Sequence, residues 1–325
     1  SAQLAEGEVP RVSTMVDAAG KPIAWLYAQR RWPLPSNRIA DTMKLAIVSI
    51  EDRRFAEHNG VDLQGTLTGL VGYLQAAEET RGGSTIEQQY VKNYRLLVQA
   101  QTDAERRAAV ETTPTRKLLE MRMALALDKA LPKSEILARY LNLVPFGNGA
   151  YGVQDAARTY FGINAMELNW QQAALLAGMV QSTSALDPYT NPEGALARRN
   201  LVLDSMIDNL PDKADELRAA RTQPLGVLVQ PDPLPQGCIA AGDRAFFCEY
   251  VLEYLARAGL SKDDVARNGY LIRTTLDPEV QGSVKRAVDA VADPRADGVA
   301  SVMSVIRPGK KAHRVVAMAD NRTYG

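Results

Sequence analysis

Glu51 has sequence neighbours that suit it to proton transfer. If residues 45–55 form a helix, Glu51 shares one face with the apolar side chains of Ile47 and Phe55. Apolar neighbours keep water away from a carboxylate and raise its pKa toward the range in which a general base works best. The alternative is that Glu51 and Asp52 are solvated surface acids beside the two arginines that follow them. Composition alone favours this alternative, because most acidic residues lie on protein surfaces.

A diglycine that leads into a polar helix start is the second feature. Ser84, Gln88 and Lys92 recur every four residues, so they lie along one face of the predicted helix. A helix N-terminus preceded by glycines, with a hydroxyl and a lysine nearby, suits a phosphate or another anion. An ordinary capped helix with a polar outer face is the alternative, and the sequence leaves both open. A P-loop is excluded, because no Gly-Lys-Ser/Thr follows at its spacing.

Arg116, Lys117 and Glu120 share one face of a third predicted helix. As a surface feature they form a salt bridge worth roughly a few tenths of a kcal/mol. As a functional feature they hold an acid ionised between two cations, ready to bind a cation or to orient a substrate. A fourth segment, residues 133–142, has mainly the apolar stripe of a core helix, and only Lys133 and Asn142 invite a polar role.

The elements that must position these residues are mainly helical. Two short strands with a turn at residues 18–21 are predicted near the N-terminus, and helix spacing follows from residue 39 to about residue 220. Residues 224–236 hold four prolines and mark a linker. Strand and helix signals alternate beyond it. The sequence thus predicts an extended segment (1–38), a mainly α domain (39–222) and an α+β part (223–325).

Composition excludes several classes of protein. With 46% hydrophobic and 23% charged residues, the 325-residue chain is neither disordered nor fibrous. Thirty-eight basic residues balance thirty-eight acidic ones, so no overall field attracts nucleic acid. The longest apolar stretch, residues 173–180, is far shorter than the roughly 20 residues of a membrane span, and no signal peptide opens the chain. We therefore expect any membrane anchor to lie outside this sequence.

The four segments, in this order, resemble glycosyltransferase family 51, the peptidoglycan glycosyltransferase module of class A penicillin-binding proteins. The resemblance covers about residues 11–210 and includes a fifth motif at residues 173–178. The Glu-Gln-Gln form of the second motif looks actinobacterial. The tail from Thr274 looks like the linker into the transpeptidase domain of the same proteins, so we expect the sequence to be truncated near the start of that domain.

The resemblance implies a lysozyme-like helical fold at the extracytoplasmic face of the cell membrane, with the N-terminal anchor missing from this sequence. Family members polymerise lipid II into β-1,4-linked glycan strands with inversion and release undecaprenyl pyrophosphate. The implied partners are lipid II, the growing glycan strand, the membrane surface and other cell-wall synthesis proteins, and nucleic acid is not among them. The implied cofactor is a divalent metal ion, Mg²⁺ or Mn²⁺.

The resemblance also assigns roles to residues. Glu51 matches the general base that takes the proton of the acceptor's 4-hydroxyl. Glu120 matches the second essential acid, associated with the metal and the pyrophosphate. The substrate-binding residues implied by the resemblance are Asp52, Phe55, His58, Ser84, Gln88, Gln89, Lys92, Arg116, Lys117 and Asn142.

Cys238 and Cys248 are either two buried or unreactive free thiols or the two ends of a short disulfide loop. The number of cysteines alone does not distinguish these two possibilities. The extracytoplasmic location that the resemblance implies favours the disulfide.

The resemblance also bears on a helix predicted over residues 63–74, whose leucine stripe is interrupted by glycines. Because the family uses this region to enter lipid, we expect it to touch the membrane, with a core helix as the alternative.

Two positions depart from the family pattern. Glu87 stands where a threonine is usual, and an added carboxylate near Ser84 weakens an anion site unless it points away. The fifth motif lacks its usual proline soon after Gly178, which leaves the geometry of that loop open.

Two other functions compete with polymerisation. One is a lysozyme-like glycan-cleaving enzyme, which the anion-suited cluster around Ser84 and Lys92 disfavours. The other is an inactive cell-wall scaffold, which Glu51 and Glu120 disfavour. No Ser-x-x-Lys, Ser-x-Asn or Lys-Thr-Gly motif occurs, so this sequence carries no serine transpeptidase site.

Overall fold

The computed structural model describes residues 2–66 and 83–324. The chain divides into two compact units, which are described separately. Unit 1 comprises Ser1–Val9 and Arg31–Pro233, and unit 2 comprises Pro10–Arg30 and Leu234–Gly325.

Helices predominate along the chain, as predicted. The α-helices that lie wholly within the described residues are α1 (Ala2–Glu6), α2 (Asp41–Glu51), α3 (Ile86–Tyr94), α4 (Asp103–Val110), α5 (Pro114–Ala130), α6 (Lys133–Leu143), α7 (Val153–Phe161), α8 (Trp170–Met179), α9 (Pro192–Asn209), α10 (Ala214–Arg221), α11 (Ala245–Arg257), α12 (Lys262–Asn268) and α13 (Pro278–Val291). The strands are β1 (Ser13–Val16), β2 (Pro22–Leu26), β3 (Pro145–Gly147), β4 (Ala150–Tyr151), β5 (Leu271–Arg273), β6 (Val302–Arg307) and β7 (Arg314–Asp320).

Local sequence signals set the starts of the helices that carry the candidate site. Thr85 caps α3: its side chain accepts a hydrogen bond from the backbone N–H of Gln88, and the Gln88 side chain accepts one from the Thr85 N–H. Asn169 and Gln172 form the same reciprocal pair at the start of α8, which confirms the capping box predicted there. These caps satisfy N–H groups that have no partner within the helix.

The apolar segment of α8 lies at the centre of unit 1. Every residue from Ala173 to Met179 is buried, and α2 and α9 pack against this helix. The apolar run at residues 173–180 is therefore explained by core packing. Among the described residues, no helix combines the length and the apolar character that crossing a membrane requires.

Unit 2 contains a three-stranded sheet in the order β2-β1-β5. β1 and β2 form the antiparallel hairpin predicted from the turn at residues 18–21, and β1 pairs in parallel with β5. β6 and β7 form a second hairpin, against which α13 packs, and Asp277 caps α13 as predicted. The division at residues 38 and 222 stays a prediction about domains; the contacts group Pro10–Arg30 with the C-terminal part of the chain.

A disulfide joins Cys238 and Cys248 within unit 2, with a Cα–Cα distance of 5.4 Å. Both cysteines are buried in the core of this unit, together with Phe247 and Leu252. The bridge closes a short loop that ends at Cys248 in the first turn of α11.

We expect the isolated protein to contain this disulfide and to lose stability when it is reduced. On the chain-entropy estimate, closing so short a loop stabilises the folded state by about 2–3 kcal/mol. Intact-mass measurement under denaturing, non-reducing conditions, after alkylation, tests the bond. Two alkylated thiols would contradict it. Denaturant unfolding with and without reductant measures its contribution, and the Cys238→Ala/Cys248→Ala variant, which cannot respond to reductant, is the control.

Candidate active site

A cavity of about 340 Å³ in unit 1 brings together side chains from the first, second and third sequence motifs. Seven of the predicted catalytic and binding residues line it. The lining residues are Glu51, Ser84, Gln89, Lys92, Asn93, Arg116, Lys117, Glu120, Val144, Pro145, Val180 and Gln181. The charged members are three cations and two carboxylates, so the cavity suits an anionic ligand.

Glu51 is the last residue of α2, and its carboxylate opens into this cavity. Its Oε2 accepts a hydrogen bond from Gln89 Nε2 at 3.0 Å. Burial raises the pKa of Glu51 above the ordinary value of a glutamate, and the Gln89 hydrogen bond and the charge of Arg198 offset part of this rise. The direction agrees with the expectation from the apolar neighbours, of which Ile47 and Phe55 are buried. Such a group can be ionised near neutral pH and still accept a proton.

Glu120 holds the two cations of the third motif. Its side chain is only 3% exposed, its Oε2 accepts a hydrogen bond from Arg116, and its Oε1 accepts one from Lys117 Nζ at 3.0 Å. Lys117 Nζ also donates to the Ser84 hydroxyl. The second and third motifs are thus connected through Lys117, and the ammonium and guanidinium groups are held at the cavity wall.

The other five predicted binding residues are not among the side chains that line the cavity. They are Asp52, Phe55, His58, Gln88 and Asn142. Their part in substrate binding stays a prediction, and the four polar side chains among them have hydrogen-bond partners within the protein. Gln88 is engaged in the α3 cap described above. Asn142 exchanges two hydrogen bonds with the backbone of Leu34, at 2.8 and 2.9 Å.

Asp52 connects the end of α2 to the start of α3. Its carboxylate accepts hydrogen bonds from the backbone N–H of Ile86 at 3.0 Å and from His58 Nε2 at 2.8 Å. His58 Nδ1 accepts the backbone N–H of Gly60 at 3.2 Å, so the ring proton resides on Nε2. These contacts fix the spacing between the helix that carries Glu51 and the helix that carries Gln89.

Glu87 points away from the cavity and is fully buried. Its Oε1 lies 2.6 Å from Lys133 Nζ, which also contacts Asp128 at 2.8 Å and lies 4.6 Å from the centre of the Phe55 ring. Burial raises the pKa of Glu87, and Lys133 offsets part of the rise. Because a cation neutralises this carboxylate, the threonine-to-glutamate departure does not place a repulsive charge in the anion site.

We expect Lys133→Met to destabilise unit 1 by about 3 kcal/mol at neutral pH, because it leaves the buried Glu87 charge without its cation. The loss should shrink as the pH falls, since a protonated Glu87 carries no charge to bury. Urea unfolding at several pH values measures the effect. The exposed Lys129 provides the control, and Lys129→Met is expected to stay within about 0.5 kcal/mol. Equal losses in the two variants, or a loss independent of pH, would contradict this account.

Asp52, His58 and Glu87 are also the described residues whose potential metal-ligand atoms come within 4.8 Å of one another. The group does not fit a metal ion as it stands. His58 Nε2 carries the proton that it donates to Asp52, and Lys133 already neutralises Glu87. Both oxygens of Glu120 likewise accept from cations. In the described arrangement these carboxylates therefore offer a metal ion no free set of ligands.

Arg198 and Tyr140 belong to the surroundings of Glu51 but were not found from the sequence. Arg198, on α9, places its charge near Glu51, and its Nε donates to the carbonyl of Gly178 at 3.3 Å. A side chain at position 178 would meet Arg198 Cγ at 2.9 Å, which explains the glycine. The double arginine within the helix pattern of α9 is the sequence signal that could have identified Arg198.

The fifth motif closes its loop without a proline. The Ser182 N–H donates to the carbonyl of Met179 at 3.1 Å, which forms a turn at the end of α8. This turn brings Val180 and Gln181 to the cavity. A backbone hydrogen bond therefore orders this loop although the usual proline is absent.

Comparison with known proteins identifies relatives of the chain. The protein-family model described as Transglycosylase matches residues 19–207. The chain is 30% identical over 282 residues to penicillin-binding protein 1A of Aquifex aeolicus, covering 86% of this chain and 36% of that protein. It is 31% identical over 325 residues to penicillin-binding protein 1A/1B of Bacillus subtilis, covering 98% and 33%.

A solved structure shows a weaker likeness. The crystal structure of penicillin-binding protein 1A from Haemophilus influenzae has a TM-score of 0.43 and 18% identity, covering 87% of this chain and 29% of that one. The chain spans about a third of the length of the curated relatives it matches. The match to the family model, over more than half of the chain, shows that this protein belongs to the transglycosylase family, glycosyltransferase family 51.

Proposed function

We propose that unit 1 polymerises lipid II into β-1,4-linked glycan strands with inversion and releases undecaprenyl pyrophosphate. The observation that carries the proposal is the cavity that places Glu51, with its raised pKa, in one space with Lys92, Arg116 and Lys117. A group able to accept a proton and groups able to stabilise an anion are the two requirements of this reaction.

Glu51 acts on the attacking side. Its ionised carboxylate takes the proton of the acceptor's 4-hydroxyl while the hydroxyl oxygen forms a bond to the anomeric carbon of the donor. The hydrogen bond from Gln89 leaves one carboxylate oxygen, Oε1, to receive that proton. Because attack and departure take place on opposite faces of the sugar, the configuration inverts.

The cations act on the leaving side. The bond from the anomeric carbon to the pyrophosphate oxygen breaks, and the electron pair stays with the pyrophosphate. Lys92, Arg116 and Lys117 stabilise the charge that develops there, so the leaving group needs no proton. Glu120 is a positioning residue in this scheme, because it holds Arg116 and Lys117 side by side.

The same arrangement disfavours glycan cleavage. A hydrolase of glycosidic bonds needs two carboxyl groups, one that is protonated and gives its proton to the leaving sugar and one that is free to act as base or nucleophile. Glu120, the other carboxylate of the cavity, has both oxygens engaged by cations and is unsuited to either role. An inactive scaffold would have no need of a half-buried carboxylate in one cavity with three cations.

The test is incubation of the purified protein with lipid II in detergent, with preformed glycan strands as the alternative substrate. We expect polymer and undecaprenyl pyrophosphate from lipid II and no shortening of the strands. Cleavage of the strands would support the hydrolase. A folded protein that changes neither substrate would support the scaffold.

Dependence on a divalent cation is general in this family. Mg²⁺ or Mn²⁺, associated with Glu120, remains our prediction for this chain. In the described arrangement Glu120 offers both oxygens to Arg116 and Lys117, so such an ion would have to share or displace these contacts. A divalent cation bound to a pyrophosphate would neutralise part of the same charge as the three cavity cations.

The membrane surface is the further partner in this proposal, at the extracytoplasmic face and together with other cell-wall synthesis proteins. Three exposed leucines close in sequence to the first and third motifs support it: Leu63 is 73% exposed, Leu118 is 69% exposed and Leu125 is 42% exposed. Apolar side chains of this kind bind at the boundary between lipid headgroups and acyl chains. Most of the helix predicted over residues 63–74 lies outside the described residues.

We expect lipid vesicles to slow hydrogen exchange in peptides that contain Leu63 or Leu118, because contact with lipid excludes water from the backbone. Peptides from α10, whose exposed residues other than Ala219 are charged, serve as the internal control and should not change. Identical exchange with and without vesicles in all peptides would contradict membrane contact.

A further inference from the structure

We propose that Tyr140, which does not line the cavity, is a positioning residue that keeps the Gln89 amide turned to donate to Glu51 and so holds the base ready to accept a proton. The inference rests on the proposed function, in which Glu51 is that base. It concerns a hydroxyl that no sequence motif singled out, because its spacing fits the core stripe of α6.

A continuous chain of hydrogen bonds connects the three side chains. The Tyr140 hydroxyl donates to Gln89 Oε1 at 2.9 Å, and Gln89 Nε2 donates to Glu51 Oε2 at 3.0 Å. Tyr140 is fully buried on α6, while Gln89 projects from the middle of α3. Gln89 Nε2 also lies 3.4 Å from the carbonyl of Ser84. The hydrogen-bond path from Tyr140 to Glu51 therefore runs through the Gln89 amide.

The orientation of that amide determines which form of Glu51 is favoured. In the observed orientation an N–H points at the carboxylate, and this stabilises the ionised form. In the flipped orientation the amide oxygen would face the carboxylate, and the two oxygens would repel each other unless Glu51 carried a proton. An amide that flips freely would thus lower the fraction of Glu51 that can act as a base.

Tyr140 makes the flipped orientation costly. Among the residues that the structure describes, its hydroxyl has no hydrogen-bond partner other than Gln89. If the amide flipped, the buried hydroxyl would lose its acceptor, and a buried donor without a partner is unfavourable. The hydroxyl therefore selects the orientation that presents an N–H to Glu51.

Other charged groups near Glu51 do not replace this contact. Arg198, from α9, lowers the pKa of Glu51, and Asp52, at the end of α2, raises it. The cavity cations Lys92, Arg116 and Lys117 face the same space. None of these groups fixes the orientation of the Gln89 amide, so the loss of the Tyr140 hydroxyl should remain visible in their presence.

Tyr140→Phe removes only the hydroxyl. We expect it to lower kcat about tenfold below neutral pH and to leave KM for lipid II within about twofold, since Tyr140 does not line the cavity. The acidic limb of the pH–rate profile should move upward by about one pH unit, because Glu51 loses its donor part of the time and its pKa rises. Both quantities come from polymerisation rates measured across pH.

The control is Tyr94→Phe. Tyr94 is a buried tyrosine on α3 whose hydroxyl donates to the backbone carbonyls of Gln3 and Glu8, and it lies outside the cavity. This variant also loses one buried hydroxyl, so it reports any general effect on folding. Its pH–rate profile should coincide with that of the unmodified protein. Thermal unfolding of both variants verifies that they are folded.

A double-mutant cycle with Gln89→Met tests whether the effect of Tyr140→Phe on Glu51 passes through the Gln89 amide. Methionine keeps the approximate shape of the side chain but has no amide to orient, so Tyr140→Phe should cause no further shift in this background. An unmoved acidic limb in Tyr140→Phe, or an equal shift in the Gln89→Met background, would overturn the inference. Should Glu51→Gln retain turnover, the proposed function itself would fail instead, and the limb would belong to another group.

Discussion

Glu51→Gln is expected to reduce polymerisation of lipid II to background, the largest effect of any single substitution that we propose. Glutamine keeps the shape of the side chain but cannot take up the proton of the acceptor hydroxyl. General-base catalysis contributes about 10²- to 10⁴-fold, and this whole factor should be lost in kcat. Binding of a lipid II analogue should change little, because the substitution leaves the three cavity cations in place.

Rates from single-turnover polymerisation and affinities from calorimetry separate these two effects. The control is Glu57→Gln, which alters an exposed glutamate in the segment just after α2 and should behave like the unmodified protein. Because burial raises the pKa of Glu51, the activity of the unmodified protein should rise with pH through a value above the ordinary pKa of glutamate. Substantial turnover by Glu51→Gln would show that another group is the base.

Glu120→Gln is expected to cause the second-largest loss, and part of that loss should be weaker binding of the donor. The carboxylate holds Arg116 and Lys117 on either side of it, and a neutral amide cannot hold both cations with comparable strength. Once released, the two cations should no longer stay together at the cavity wall. We expect kcat/KM to fall about 100-fold, with about tenfold of this in the affinity for a donor analogue.

Titration calorimetry with inorganic pyrophosphate, with and without Mg²⁺, measures the binding component directly. Glu111→Gln, which alters an exposed acid just before α5, is the matched control and should leave pyrophosphate binding unchanged. If Glu51→Gln weakened pyrophosphate binding while Glu120→Gln did not, the roles assigned to the two acids would be wrong.

Features that depend on a few neighbouring residues could be predicted from the sequence. The capping pair Asn169 and Gln172, the cap at Asp277 and the first hairpin all follow from local backbone chemistry. The parallel pairing of β1 with β5 could not be predicted, because its residues are about 250 positions apart and alternation of polarity does not identify a partner strand. For the same reason the sequence pattern places the first hairpin in an N-terminal segment, residues 1–38, a division that stays a prediction.

In the candidate site, too, local sequence patterns predict some features and miss contacts between distant residues. Helix spacing correctly placed Arg116, Lys117 and Glu120 on one face, and the family motifs brought them to the same cavity as Glu51. Spacing does not reveal which polar atoms are used inside the protein. The side-chain amide of Asn142, for example, is hydrogen-bonded to the backbone of Leu34, which lies more than 100 positions earlier in the chain.

The bridge between Cys238 and Cys248 has a practical consequence for making the protein. A preparation from a reducing cytosol would contain two buried thiols in place of a covalent bond, so its C-terminal unit would fold without the restraint described above. The candidate active site lies in unit 1, but both units belong to one chain. Aggregation of a unit 2 that lacks its disulfide would therefore also remove active enzyme from solution. Export to an oxidising compartment, or refolding in a glutathione redox buffer, should therefore raise the yield of soluble protein at unchanged activity per folded molecule.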